Sequence, residues 1–221
     1  MSKAGVFLGE KQCPSNTHRI TESLRFPRTG KITVAGDITA NPFYGDKGQP
    51  HVMGGEPAAG TSYFIKYLTF SLVVEGHRFP VGFYPLTEER LQWVPEIVAD
   101  EVAWLQEREL CDRIILDREF NGFDTYNLID DRSGKFLMPL KRNDKHNAVF
   151  VKREPSITRG ERKHGFVLQG YYPVEWNTGY RVLTIRIKSR KGKNKDEWHW
   201  VFFIMNMNIS PETARFIYRK R

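Results

Sequence analysis

Asp112-Arg113-Ile114-Ile115-Leu116-Asp117 sets three apolar residues in a row between charged flanks and ends on a carboxylate. So short an apolar run, bounded by polar residues, reads as a buried strand. The stretch from about Phe123 to Asp131 then reads as a short helix, and Lys135-Phe136-Leu137-Met138-Pro139-Leu140 as a second buried strand. Strand, helix and strand in that order point to α/β organisation around a mixed sheet.

Upstream, Lys31–Thr39 alternates β-branched residues and reads as a strand with Asp37 at its end. A Gly/Pro-rich loop, Asn41–Gly60, follows. Thr61–Val74 and Arg78–Leu86 are β-prone runs separated by Glu75-Gly76-His77, which predicts a hairpin. Thr87 can cap a helix in which Leu91, Val94, Ile97, Val98, Val102 and Leu105 recur at helical spacing, with Pro95 a kink or restart. Downstream of Leu140, Lys141–Gly165 is charged and punctuated by Gly and Pro. Phe166–Val174, Tyr180–Ser189 and Glu197–Met205 read as three more strands, the last two joined by a hinge over Arg190–Lys195. Ser210-Pro211-Glu212 begins a final helix with an N-cap, a proline at the first helical position and an acid in the first turn. Four stretches result: an irregular lead-in (1–30), a core (31–141), a β-rich basic insertion (142–200), and a last core strand with the start of a final helix (201–221).

The 221 residues suffice for one sizeable core, or for a core with an inserted subdomain. No apolar run approaches the ~20 residues that span a bilayer, and the N-terminus is too weakly apolar for a secretory signal. Cys13 and Cys111 stand far apart, which argues against a disulfide framework or a structural zinc site and fits a reducing cytoplasm. The net charge of +8 is unevenly spread. Residues 1–140 hold 15 Lys/Arg against 19 Asp/Glu, a balance of −4; residues 141–221 hold 19 against 7, a balance of +12. A one-sided positive surface suits a polyanion, because each phosphate contact releases condensed counterions.

Asp37 and Asp117 each stand at the end of a predicted core strand. A carboxylate there is costly to desolvate unless it is paired, hydrogen-bonded or bound to a metal. Two such groups on neighbouring strands, with a third acid from a helix, can hold divalent cations that clamp the attacking and leaving oxygens at phosphorus. Strand-end aspartates also serve as helix caps and turn formers, and spacing alone leaves both readings open. Asp46 lies in a Gly-rich loop, where a turn role fits. Glu119 would point to the opposite face of a strand continuing past Asp117, and Asp130-Asp131 read as an exposed helix end. The histidines show no close pairing, and neither a Walker loop nor a Ser/His nucleophile signature is present.

Ile114–Phe120, followed by Asn121-Gly122-Phe123-Asp124, resembles the strand that carries the second acid in DDE-type transposases of prokaryotic insertion sequences. Val34-Ala35-Gly36-Asp37 with Pro42-Phe43-Tyr44-Gly45 is similar to that family's first-acid motif, and Lys135–Lys141 to the strand after the second acid. Phe202–Asn206 and Ser210–Arg221 resemble the strand and helix before the third acid, although Met205-Asn206 stands where the family shows Thr-Asn. Tyr218 and Arg221 match the first elements of the terminal motif, whose glutamate would fall four positions after Arg221.

The resemblance implies an RNase H-like mixed sheet with flanking helices and a β-rich insertion. It implies metal-dependent cleavage and strand transfer at transposon ends, with Asp37 and Asp117 as catalytic metal ligands for Mg2+ or Mn2+ in a two-metal site. Double-stranded DNA, at transposon ends and target, would be the partner of a homodimer or multimer in the cytoplasm, associated with the nucleoid. Arg118, Lys141, Arg142, Arg186, Lys188, Arg190, Lys191, Lys193, Tyr218 and Arg221 would contact it. From Arg181 to Lys195 there are seven Lys/Arg and no acid, near Tyr171, Tyr172, Trp176 and Tyr180, a mixture that suits phosphate contact and base stacking. Ordinary core aromatics and solvated lysines are the competing account, as is a plain amphipathic helix end for Tyr218 and Arg221. Without the third acid the sequence as given is expected to be inactive, and nicking of a transposon-end oligonucleotide by this chain would refute that. A non-catalytic DNA-binding remnant and an unrelated basic module are the alternatives.

Overall fold

The computed structural model describes residues 32–74, 77–140, 173–175, 180–188 and 198–220. The expected lead-in, the charged stretch 141–165 and the Arg190–Lys195 hinge lie outside them. The chain divides into two compact units, Met1–Cys111 and Asp112–Arg221. The boundary falls just before the Asp112–Asp117 segment.

In the first unit, β1 (Thr33–Pro42), β2 (Val52–Ala58), β3 (Thr61–Val74) and β4 (His77–Pro85) form an antiparallel sheet, followed by α1 (Glu88–Leu91) and α2 (Val94–Glu107). The long strand β3 organises it. β1 pairs along it from Thr33 opposite Val73 to Pro42 opposite Phe64. The first part of β3 also pairs with β2 (Val52 opposite Ile65), and the later part with β4 (Tyr67 opposite Pro85, Val74 opposite His77). Side chains alternate across a strand, and burial follows: Phe64, Leu68, Phe70 and Leu72 are buried, while Tyr63, Ile65, Tyr67, Thr69 and Ser71 are partly exposed.

The hairpin read from Thr61–Leu86 is present. The Asn41–Gly60 loop is partly strand, however. β1 runs three residues beyond Thr39 because β3 is long enough to pair with it, and β2 returns to β3 through Ala59 and Gly60 (φ 52° and 82°), a tight left-handed turn. Thr87 caps α1, its hydroxyl accepting from Arg90 N at 3.2 Å. Pro95 stands in the first turn of α2, so the proline restarts the helix. Val94, Ile97, Val98, Val102 and Leu105 are buried as the spacing predicts. Leu91 is exposed, because α1 ends at that residue and does not share the phase of α2.

The second unit holds β5 (Arg113–Leu116), a 3-10 turn (Arg118–Phe120), α3 (Phe123–Asp131), β6 (Phe136–Pro139), β7 (Pro173–Glu175), β8 (Arg181–Lys188), β9 (Trp198–Met205) and α4 (Pro211–Lys220). β5 and β6 are parallel, Ile114 opposite Phe136, and α3 makes the crossover that a parallel pair requires. β9 is antiparallel to β6 and to β8, and β7 to β8. The sheet is therefore mixed, as expected. The β-rich stretch 142–200 supplies β7, β8 and the start of β9, and through β9 these strands join β6 in one sheet. Ile115, Leu137, Leu183, Phe203 and Met205 pack with Ala214 and Ile217 of α4, each large side chain contributing about 1.5–3 kcal/mol by leaving water. The Ser210 hydroxyl accepts from Thr213 N at 3.2 Å, the N-cap read from the sequence.

Candidate functional site

Asp37 lies within β1 rather than at its end, opposite Thr69 of β3. Thr33–Gly36 are buried and Asp37 is the first exposed residue of the strand. Its carboxylate thus stands where β1 leaves the core, in contact with water, and a cation could reach it without a buried charge being left unpaired.

Asp117 follows the last residue of β5 in an extended conformation (φ −80°, ψ 169°) and is partly exposed. The strand does not continue, so Glu119 does not sit on an opposite strand face. Arg118–Phe120 is a 3-10 turn, with Glu119 exposed and Phe120 buried. Asp117 Oδ1 accepts from Arg118 N at 2.6 Å, so the carboxylate also acts as the cap of that turn.

What fixes the turn is Asn121, a residue for which sequence pattern alone suggests no role. Asn121 Nδ2 donates to Arg118 O at 2.8 Å and to Pro139 O at 2.6 Å, and its Oδ1 accepts from the Tyr126 hydroxyl. The end of β5 is thereby tied to the end of β6. Tyr126 stacks on Phe136 (centroids 5.6 Å apart, planes 9° apart), and burial holds its hydroxyl protonated well above the usual tyrosine range. An asparagine closely following a strand-end Asp was the available signal, since such residues bond backbone in turns.

Asn206, directly after β9, has a similar function. Its Oδ1 accepts from Phe136 N at 2.9 Å, and its Nδ2 donates to Asp130 Oδ1 at 2.6 Å and Gly134 O at 2.7 Å. The end of β9 is pinned to the end of α3 and the start of β6. Asp130 and Asp131 are exposed at the helix end, as expected. Asp46 is a turn former, its Oδ1 accepting from Gly48 N at 3.0 Å.

Of the proposed DNA contacts, Arg118 is exposed on the turn after Asp117. Arg186 and Lys188 lie on β8, opposite Trp200 and Trp198 of β9. Tyr218 is partly buried, its ring edge-on to Phe203 at 5.1 Å, packed against the core beneath α4. Burial, and then the neighbouring Arg219, lowers the pKa of Arg215 on the same helix. Lys141, Arg142, Arg190, Lys191, Lys193 and Arg221 lie outside the described residues. Asp37 belongs to the first unit and Asp117 to the second. Among the described residues no group of three or more His, Cys, Asp or Glu converges as a metal site would require, and no helix is long and apolar enough to cross a membrane.

The sequence matches no family model and no curated protein. Two solved structures similar to this chain are DNA complexes. One is a piggyBac transposase synaptic complex with hairpin DNA, 15% identical with a TM-score of 0.47 over 85% of this chain. The chain covers 37% of that transposase. The other is Ciona intestinalis endonuclease V with a 24mer DNA containing an inosine followed by a ribo-adenosine, 11% identical with a TM-score of 0.36 over 86% of this chain and 77% of that one.

Proposed function

We propose that this chain is the catalytic domain of a transposase that cleaves DNA and transfers strands at transposon ends, of the DDE type found in prokaryotic insertion sequences. The observation that carries the reading is Asp117. It stands at the C-terminal end of β5, directly after the buried apolar run Ile114-Ile115-Leu116, half-open to water, on a turn locked to the neighbouring strand by Asn121. The sequence resemblance around Asp117 to the second-acid motif supports the same reading. Asp37 is the first acid. Both are oxygen donors within reach of solvent, which suits magnesium or manganese, cations that take carboxylates and keep several waters. Such ions would activate the attacking oxygen and neutralise charge on the leaving one. The side chains themselves would hold the ions and orient them, with Arg118 and the basic residues of β8 and its surroundings positioning phosphates.

The experiment is metal binding by the whole chain, with Mn2+ followed by titration calorimetry. Asp117→Ala and Asp37→Ala should each weaken Mn2+ binding by tenfold or more while leaving the melting temperature within a few degrees. Unchanged binding in both variants would sink the assignment. A second reading, a DNA-binding protein without cleavage, is favoured by the charge split of −4 over residues 1–140 and +12 over 141–221. It predicts DNA binding that is indifferent to both substitutions and to chelation of divalent ions.

A further inference from the structure

The two faces of the sheet in the first unit differ in kind. The face that carries Phe64, Leu68, Phe70 and Leu72 is core, and α2 lies on it. Gly82 of β4 leaves no room for a side chain there, since a Cβ would stand 2.6 Å from Glu101 Oε1 and 3.0 Å from the Phe70 ring. The opposite face carries Asp37 of β1 and, in register with it, Thr69 of β3 and Phe83 of β4. On this same face stand Tyr63 and Tyr67. Tyr67 packs on Phe83 with ring centroids 4.6 Å apart, and Phe83 remains 43% exposed. Lys47 holds its ammonium 4.5 Å from the centre of the Tyr63 ring. At the tip where β1 ends, Tyr44 is 70% exposed, and its hydroxyl donates to Ala59 O at 2.5 Å, which fixes the ring in place.

We propose that this face is a stacking platform for unpaired nucleotides of the DNA strand presented to Asp37. The proposal rests on the function given above and specifies its substrate: a single-stranded or locally melted segment rather than a closed duplex. Base–aromatic stacking tolerates any sequence because every base has a π-face, and a nearby cation serves the phosphates. Tyr63 and Tyr67 are four residues apart on one strand, roughly 13 Å, so two bases can be held with a third position between them at Ile65. An interface between copies of this chain fits less well. The rings are interleaved with the polar side chains of Asp37, Thr39 and Thr69, whereas the centre of a protein interface is depleted of charge.

The test compares the 221-residue chain with Tyr63→Leu, Tyr67→Leu and Phe83→Leu variants, which keep apolar bulk and lose the ring. Binding of a fluorescein-labelled single strand and of the matching duplex is read by anisotropy. Each variant should lose about fivefold or more in single-strand affinity and less than about twofold for the duplex. Irradiation with a 5-iodouracil strand should crosslink to peptides within residues 44–83. Unchanged single-strand affinity in variants that melt cooperatively, or crosslinks confined to other parts of the chain, overturns the proposal and leaves the transposase reading standing. So does sedimentation showing that the native chain self-associates and the variants do not. Failure of the native chain to bind either DNA overturns both. If a variant does not fold, the crosslink map on the native chain decides.

Discussion

Asn206 makes three hydrogen bonds with one side chain, and one of its partners is the backbone N–H that opens buried strand β6. Removing the amide leaves that donor without its acceptor, so Asn206→Ala should destabilise the fold by about 2–3 kcal/mol. The expected signature is a lower denaturant midpoint with an unchanged slope. Gly82 is similarly constrained. Gly82→Ala drives a methyl into Glu101 and Phe70 beneath α2, and the overpacking should cost about 1–3 kcal/mol, read as a fall in melting temperature. Tyr84 adds a pH dependence. Burial, and after it the Glu101 carboxylate that its hydroxyl bonds, raise its pKa above the ordinary value; burial does the same for Tyr126. A proton held more tightly in the folded state stabilises fully below the unfolded tyrosine pKa of about 10 and is lost as pH rises above it. Absorbance at 295 nm should show these two tyrosines ionising only as the chain unfolds in alkali. At this scale the sequence revealed the acids but not their supports. Asp37 and Asp117 were visible because a carboxylate after an apolar run is conspicuous. Asn121 and Asn206 were not, because their partners come from strands that only the fold brings near.

Among the elements, α3 and the two strands around it were legible to within a residue or two, since a short apolar run and a compact helix admit few other readings. The stripe of α2 was legible for the same reason. β2 was not. Val52–Ala58 contains two glycines and a proline, and what makes it a strand is the adjacent edge of β3, a tertiary cause absent from local propensity. The strand ends just before Asp117, where the apolar run stops, because the side chain of that residue caps a turn, which competes with extension. The central residues of β3, from Tyr67 to Phe70, are bonded to β1 on one side and β4 on the other. Their amides should exchange with deuterium more slowly than those of β2, whose register is broken between Gly54 and Ala58.

For the molecule as a whole, composition speaks to partners rather than to fold. A balance of +12 over the last 81 residues predicts that binding to duplex DNA falls steeply with salt, with a log–log slope of about −0.9 for each phosphate neutralised. A slope near zero in anisotropy titrations between low and moderate salt would remove the electrostatic basis for DNA as the partner. The α/β class was legible from the alternation of elements. The joining of β7, β8 and β9 to β6 was not, because the pairing of Leu137 with Met205 spans nearly seventy residues, a separation at which sequence pattern carries no register.

That same separation governs how the protein can be made. Phe136 leaves the ribosome long before Asn206, so the growing chain must carry an unsealed strand edge, with Leu137 and Met138 bare, until the final strand emerges. During synthesis this half of the molecule is therefore the part that most needs a chaperone, and slow translation between the two positions would lengthen its exposure to aggregation.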